Sequence, residues 1–299
     1  FFSSRRRHTR YISVTGVQTC ALPICYRDRA GSLPVTPMTT RTRGIFIRAA
    51  RVIVTTLIVL VVVGSSAVMY TGAALPDAND ALRSDARVRV RSGRWIEFLP
   101  EPPAPGDGTL RPPGSPTGLI LYPGGFVQPE AYAPVARTIA EAGHPVVIVP
   151  VTLRLAFFDI DAAVPGQVAF PDVPRWAVGG HSLGGVAAAW YARDQTDRIA
   201  GLVLWAAYTD DGHTLAPSTL PVLSVSGTRD GNVTPARIAA SRLTLPSSTR
   251  FVAIEGANHA QFGAYRYQMN DADAAIGREE QHRQIAAATV AFLDTLGAP

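Results

Sequence analysis

Ser182 lies in a glycine-rich stretch whose residue types and spacing are typical of nucleophilic catalysis. The stretch Gly180-His181-Ser182-Leu183-Gly184 fits the pattern G-x-S-x-G, in which a serine occupies a sharp turn between a strand and a helix. Such a turn strains the serine backbone, and flanking glycines avoid collisions at the crowded crossing. We therefore predict that Ser182 is a nucleophile. The alternative is a phosphate-binding turn, but the spacing fits neither G-x-G-x-x-G nor a P-loop, and the chain has no lysine.

A serine hydroxyl needs a general base, and that base needs an orienting carboxylate. In folds that use this turn, the partners follow the serine in the order acid, then histidine. Asp230 follows a strand-like run at 221–226, and His259 follows the next such run at 250–254. Both are predicted at the sheet edge where Ser182 lies, because ligand sites in open α/β sheets form at the carboxyl ends of strands.

Each partner has a competing interpretation. Asp210 and Asp211 follow the preceding strand-like run and are rival acids. Asp230 is also followed by Gly231, a good turn pair, so its alternative is a purely structural turn. Four other histidines lie outside the N-terminal segment, but none follows the final strand-like run, which favours His259.

Two backbone N–H groups are expected to stabilise an oxyanion. One is that of Leu183, at the start of the helix after the serine. The other comes from the loop "YPGGFVQP", at Phe126 or Gly125. Aromatic residues that could line a partly apolar acyl pocket, with burial in the core as the alternative for each, are Phe126, Tyr132, Phe157, Phe158, Tyr208 and Phe262.

Apolar runs and helical periodicities alternate along the chain from residue 88 onward. Strands are predicted at 88–90, 95–99, 118–122, 145–151, 175–179, 199–207, 221–226 and 250–254. Helices are predicted at 130–142, 184–193, 235–243 and 279–296. This alternation indicates an α/β fold with a mostly parallel sheet, helices on both faces and an antiparallel hairpin at one edge.

With these motifs in place, residues from about Gly118 to Leu296 resemble the α/β-hydrolase superfamily. The chain is most similar to a compact bacterial branch that carries YPGG, GGHSLGG, SGTRDG and EGxNHAQFG in that order. The resemblance implies a Ser182–Asp230–His259 triad, no cofactor, and hydrolysis through an acyl-enzyme. We call the turn at 180–184 the elbow. A serine at its nucleophile position, instead of a cysteine or an aspartate, favours esters, thioesters or amides as substrates. Only about fourteen residues separate positions 207 and 221, where relatives insert a lid, so we expect a minimal lid or none.

A charge-free run of nineteen residues, 52–70, precedes this region. As a helix with a rise of ~1.5 Å per residue it is long enough to cross a bilayer. Arginines at 41, 43, 48 and 51 precede the run and none follows until Arg83, which predicts a cytoplasmic N-terminus and an exported catalytic domain. A cleaved signal peptide, which would release the domain, and a buried core element are the alternatives.

The domain boundaries follow from these segments. Residues 1–24 resemble translated sequencing-adapter read-through, and we expect 1–37 to be non-native or disordered, with translation starting at Met38. A basic stub and anchor are predicted at 38–71, a tether at 72–87, and the catalytic domain at 88–299.

Composition excludes several classes of function. The pI of about 9.5 suggests a nucleic-acid partner, but ten arginines and one aspartate precede residue 72. From residue 72 onward, eighteen arginines face 22 acidic residues, so the globular part has a net charge of −4 and nucleic acid is not expected as a partner. Cysteine occurs only at Cys20 and Cys25, which excludes a cysteine nucleophile in the catalytic domain. No clustered ligand spacing indicates a metal site.

Together these features predict a membrane-anchored, extracytoplasmic serine hydrolase, a carboxylesterase acting on small-molecule esters. Two alternatives stay open: an acyltransferase that uses the same triad, and a non-catalytic hydrolase-fold scaffold that binds a partner at the membrane.

Overall fold

The structure, a computed structural model, describes residues 40–102 and 117–297. The segment predicted as non-native or disordered, 1–37, lies outside the described residues, as do both cysteines. The chain divides into two compact units between Thr55 and Thr56. The larger one contains every residue assigned above to catalysis.

The centre of the larger unit is an eight-stranded sheet in the order β1-β2-β4-β3-β5-β6-β7-β8. Its strands are β1 (Val88–Ser92), β2 (Ile96–Pro100), β3 (Thr117–Tyr122), β4 (Val146–Ile148), β5 (Arg175–His181), β6 (Gly201–Trp205), β7 (Val222–Gly227) and β8 (Arg250–Ile254). All neighbours from β4 to β8 pair in parallel, whereas β1 and β2 form an antiparallel hairpin that pairs antiparallel with β4. The predicted mostly parallel sheet with an antiparallel edge is therefore confirmed.

Alternate residues of the inner strands face two separate hydrophobic layers. In β3, Leu119 and Leu121 pack into one layer, and Ile120 and Tyr122 pack into the other. The helices are α1 (Thr40–Thr71), α2 (Pro76–Asp80), α3 (Ala133–Glu141), α4 (Ala163–Ala169), α5 (Leu183–Asp194), α6 (Pro235–Ser241) and α7 (Arg278–Gly297). Helices α3 and α7 cover the first layer, and α4 and α5 cover the second. A sheet covered on both faces needs near-continuous apolar strands, which is what these sequences contain.

Two connections at the carboxyl edge of the sheet differ in content. Between β6 and β7 the only helical element is a 3₁₀ turn at Asp211–His213. Between β4 and β5 the chain instead carries three 3₁₀ turns and α4, which the sequence did not predict. The predicted strand at 145–151 is correspondingly shortened to Val146–Ile148, because the chain turns away from the sheet after Val149.

Helix α1 contains a stretch, Phe46–Thr71, that is long and apolar enough to cross a membrane. The most apolar 18 residues of this stretch have a mean hydropathy of 2.6, and none of them is buried. A core helix is buried, so the core interpretation of this run does not fit. A membrane anchor and a signal sequence both have this length and composition.

The segment 72–87, predicted as a tether, contacts other parts of the larger unit. Ala74 pairs with Tyr265 in an isolated antiparallel bridge, and Ala78 in α2 is fully buried. The guanidinium of Arg137 donates to the carbonyl of Ala81 and to the carboxylate of Asp85. These contacts join the segment to the loop after β8 and to α3.

Candidate active site

Ser182 occupies the sharp turn between β5 and α5. Its φ of 52° and ψ of −121° lie in a region that non-glycine residues rarely adopt. The turn is crowded: a side-chain carbon on Gly180 would lie 2.4 Å from the carbonyl carbon of Gly184, and one on Gly184 would lie 2.2 Å from the carbonyl oxygen of Pro123. The Ser182 N–H donates to the Trp205 carbonyl at 2.9 Å, which ties the turn to β6. The serine side chain is partly exposed.

His259 and Asp230 form a buried hydrogen-bonded pair. Nδ1 of His259 lies 2.8 Å from Oδ2 of Asp230, and the two side chains are 1% and 0% exposed. A carboxylate only accepts hydrogen bonds, so Nδ1 is the donor, and in the neutral form of the imidazole Nε2 carries the lone pair. An imidazole held in this tautomer can accept a proton at Nε2.

The second oxygen of Asp230 fixes the loop after β7. Oδ1 accepts from the N–H groups of Asn232 at 2.8 Å and Val233 at 2.6 Å. Asp230 therefore forms the turn that was its structural alternative and faces the histidine as well. The rival Asp210 instead pairs with His213 at 2.8 Å in an exposed turn, and Asp211 is exposed beside it.

His181 connects the elbow to the histidine loop. Its ring centroid is 4.6 Å from that of His259 and 5.4 Å from that of Phe262, on which it stacks. The serine next to His181 is thus on the same edge as the acid–histidine pair. The structure contains no hydrogen bond between Ser182 Oγ and His259 Nε2, a contact that often tightens only when substrate binds.

The Tyr132 hydroxyl links His181 to the loop after β3. It accepts from the Gly124 N–H at 2.9 Å and lies 2.8 Å from Nδ1 of His181. The hydroxyl therefore bridges the backbone of Gly124 and the imidazole of His181. Burial, reinforced by the nearby His259, holds the pKa of His181 well below its usual value, so the imidazole is neutral. Burial likewise raises the pKa of Tyr132 far above its usual value.

Two backbone N–H groups near the turn are candidates for the oxyanion hole. Leu183 is the first residue of α5, so its N–H has no acceptor within the helix. The side chain of Leu183 packs on Gly125, its Cδ2 lying 3.0 Å from where a side-chain carbon of Gly125 would be. Of the two alternatives for the second donor, Phe126 has its N–H engaged by the Arg154 carbonyl at 2.8 Å, which leaves Gly125.

One site residue was missed by the sequence analysis. Asp271 accepts from the N–H groups of His259 at 3.1 Å, Ala260 at 2.7 Å and Gly231 at 3.1 Å. Its carboxylate therefore joins the loops that carry the acid and the histidine. The stretch "QMNDADAAIG" shows only polar turn composition, and nothing in its spacing indicates partners eleven to forty residues away.

The predicted pocket residues separate into two groups. Tyr132 and Phe262 are fully buried, as in their alternative as core residues: the Tyr132 hydroxyl bridges hydrogen bonds, and Phe262 stacks on His181. Phe157 is 36% exposed and packs on Trp190, with ring centroids 4.8 Å apart. Tyr208 lines a surface cavity of about 300 Å³ in which Arg237 covers its ring.

Among the residues that the structure describes, no group of three histidine, cysteine or acidic side chains is arranged to hold a metal ion. The chemistry available is that of a serine, an imidazole, a buried carboxylate and two backbone donors. This set is suited to acyl transfer through the serine oxygen.

Solved structures with a similar chain path have low sequence identity to this chain. Est1E from Butyrivibrio proteoclasticus is 15% identical with a TM-score of 0.47, covering 70% of this chain and 99% of its own. The esterase domain of a Rhodothermus marinus protein is 16% identical with a TM-score of 0.47, covering 66% and 90%. TT1662 from Thermus thermophilus is 17% identical with a TM-score of 0.49, covering 70% and 99%. No curated protein matches the chain in sequence.

The family comparison covers more than half of the chain. The model described as "Alpha/beta hydrolase family" matches residues 118–283, from β3 into α7. This range includes the elbow and the loops after β7 and β8. By this match, and by the strand order and turn described above, the chain belongs to the alpha/beta hydrolase family.

Proposed function

We propose that this protein is a serine hydrolase that cleaves carboxylic esters through an acyl-enzyme. Ser182 is the nucleophile, His259 the general base and acid, and Asp230 the carboxylate that orients the imidazole. The N–H groups of Leu183 and Gly125 form the oxyanion hole. The observation that carries the proposal is the buried His259–Asp230 pair at 2.8 Å on the same edge as a serine with a φ of 52°.

The mechanism follows from these positions. Rotation of the Ser182 side chain brings Oγ toward Nε2 of His259, which takes its proton as Oγ attacks the ester carbonyl carbon. The two N–H groups stabilise the negative oxygen, and Asp230 stabilises the imidazolium. Collapse of the intermediate breaks the bond to the alcohol, which leaves with the proton from His259. Water then repeats these steps on the acyl-serine and releases the acid.

The first experiment compares wild type with Ser182→Ala, both as the full chain in detergent micelles. The substrates are p-nitrophenyl esters from acetate to octanoate, and a fluorophosphonate probe reports the reactive serine. We expect turnover and labelling in the wild type, with turnover in the variant reduced by about 10⁴-fold or more. The chain-length profile measures the reach of the acyl pocket.

Other outcomes discriminate the alternatives. Transfer of the acyl group to an added alcohol in preference to water would indicate an acyltransferase with the same triad. A folded wild type that neither turns over esters nor reacts with the fluorophosphonate would overturn the enzyme proposal and favour a binding scaffold. Thioester and amide substrates in the same assay define which acyl bond is preferred.

We also propose that α1 anchors the enzyme in the cytoplasmic membrane, with its N-terminus inside and the hydrolase unit outside. Two observations support the anchor. The apolar stretch is 26 residues long and its most apolar part is not buried, and arginines precede it. Cleavage after this helix would instead give a secreted enzyme. Resistance of the chain to alkaline carbonate extraction supports the anchor, and release supports cleavage.

A further inference from the structure

The C-terminal end of α1 contacts the edge of the sheet that carries the proposed catalytic groups. The carbonyl of Thr71 accepts from the N–H of Tyr267 at 3.2 Å, in the loop after β8. The carbonyl of Gly72 accepts from the N–H of Gln128 at 2.8 Å, in the loop after β3. These two loops also carry His259 and the proposed oxyanion donor. The helix therefore ends at the active-site edge and not at the opposite edge of the sheet.

The contact reaches to within one residue of the oxyanion donor. A side-chain carbon on Gly72 would lie 2.1 Å from the carbonyl oxygen of Phe126, so the two backbones are in direct contact. The N–H of Phe126 donates to the carbonyl of Arg154, whose guanidinium donates at 3.4 Å to the carbonyl of Met69 in the helix. Phe126 directly follows Gly125. The oxyanion loop and the end of α1 thus share one hydrogen-bonded network.

The connection between the end of α1 and the catalytic-site loops is short and hydrogen-bonded. Directly after Gly72, Ala74 pairs with Tyr265, and the N–H of Leu75 donates to the Ala264 carbonyl at 2.8 Å. A long flexible tether would let the unit turn freely above a membrane. This short, paired connection instead holds the active-site edge next to the point where the helix ends.

The surface around this junction is apolar and basic. We define the anchor rim as Tyr70, Phe126, Leu153, Arg154, Arg266, Tyr267 and Met269. Leu153, Tyr267 and Met269 are 65%, 59% and 64% exposed, and Arg266 lies over the ring of Tyr70 with its guanidinium carbon 4.7 Å from the centroid. Large exposed apolar groups grouped together mark an interaction surface, and tyrosine and arginine are favoured at the boundary of a bilayer.

The backbone of the rim is strained where it presents these groups. Phe126, Leu153 and Arg154 have φ values of 62°, 54° and 56°, which non-glycine residues adopt at a cost. Leu153 gains no burial within the chain from this conformation. Contact with lipid would supply the apolar environment that the hydrolase unit does not provide.

We propose that the anchor rim lies on the bilayer that holds α1, and that the substrate is a long-chain acyl ester resident in that bilayer. This inference rests on the proposed function, which supplies the ester hydrolysis. The contacts between the end of α1 and the active-site loops supply the substrate class. The acyl chain of such an ester stays in the lipid while its carbonyl reaches the oxyanion loop next to the rim. Hydrolysis proceeds by the steps given above, with water as the co-reactant.

The first test locates the rim without using activity. Position 153 is labelled with bimane as Leu153→Cys in the full chain carrying Cys20→Ser and Cys25→Ser, reconstituted in dioleoylphosphatidylcholine vesicles. The matched control is Val168→Cys in α4, an exposed apolar position (76%) away from the rim. We expect brominated phosphatidylcholine to quench the label at 153 and not at 168. Equal quenching at both positions, or none at 153, would overturn the proposal.

The second test separates rim function from catalytic function. The variant Leu153→Asn/Met269→Gln replaces two rim side chains with polar ones, and asparagine tolerates the positive φ at 153. We expect at least about a ten-fold loss of rate on monooleoylglycerol in the vesicles, and a change within about two-fold on soluble p-nitrophenyl butyrate. Val168→Gln should change neither rate. Equal losses on both substrates, or no loss on the lipid ester, would contradict the rim's proposed function.

The two proposals fail in different ways. If the triad assignment is wrong, wild type does not hydrolyse p-nitrophenyl butyrate, whereas quenching at 153 still reports membrane contact. If only the rim proposal is wrong, the soluble ester is hydrolysed normally and the label at 153 stays unquenched.

Discussion

At the scale of single residues, Asp230 uses its two carboxylate oxygens for different purposes. Oδ1 closes the loop after β7 on two backbone N–H groups, and Oδ2 faces Nδ1 of His259. An amide can replace the first function but not the second, because its NH₂ group would donate toward Nδ1. The imidazole would then carry its proton on Nε2 and could not accept one from Ser182.

Asp230→Asn is therefore expected to fold normally and to lose activity. We expect kcat on p-nitrophenyl butyrate to fall by about 10³–10⁴-fold, the size of effect that a wrong tautomer causes in serine hydrolases of other folds. The matched control is Asp210→Asn, whose carboxylate pairs with His213 in an exposed turn and should change kcat by less than about two-fold. A large loss in Asp210→Asn with little change in Asp230→Asn would reverse the assignment of the acid.

At the scale of elements, the site depends on the positions of the loops after β7 and β8. Asp271 contacts both: its carboxylate accepts from Gly231, beside the acid, and from His259 and Ala260. Asp271 touches no reacting atom, so it is a positioning residue. Replacing one of its oxygens with NH₂ would place a donor opposite a backbone donor.

Asp271→Asn is expected to lower both stability and activity. Loss of one or two charge-assisted hydrogen bonds should reduce the free energy of unfolding by about 1–3 kcal/mol, measured by denaturant titration. If the pair is also misaligned, kcat should fall at unchanged KM, and the rate of fluorophosphonate labelling should fall with it. The control Asp273→Asn alters an exposed carboxylate two residues further on. A loss of stability with unchanged kcat and labelling would restrict Asp271 to a structural function.

The sequence predicts best those elements whose residues form a continuous pattern along the chain. The apolar run at 250–254 coincides with β8 (Arg250–Ile254), and that at 118–122 lacks only one residue of β3, because a strand buried on both faces requires a continuous apolar run. The 3₁₀ turns between β4 and β5 and the contacts of Asp271 could not be predicted. Both depend on hydrogen bonds to distant backbone groups, which leave no periodicity in the sequence.

At the scale of the whole molecule, folding buries two histidines and lowers the pKa of both imidazoles. His181 directly precedes Ser182 in the elbow, and His282 in α7 lies near the loop that carries His259. Burial lowers the pKa of His181 well below its usual value of 6.5. Burial, aided by the charge of Arg278, lowers the pKa of His282 to about 4. Both imidazoles are therefore neutral in the folded protein at neutral pH, whereas in the unfolded chain they titrate near 6.5.

This difference makes the stability of the fold depend on pH. Below about pH 6.5 the unfolded chain binds protons that the folded protein does not, so the free energy of unfolding falls as the pH decreases toward 4. Each histidine contributes a slope of up to about 1.4 kcal/mol per pH unit in that range. Denaturant titrations of the full chain in micelles, at several pH values between 8 and 4.5, measure the slope. His282→Gln removes one of the two groups, so the free energy of unfolding of this variant should fall less steeply below pH 6.5. Near pH 8, where neither protein binds these protons, the difference between their free energies of unfolding should not depend on pH. Parallel curves over the whole range would show that the protonation of His282 does not differ between the folded and unfolded states.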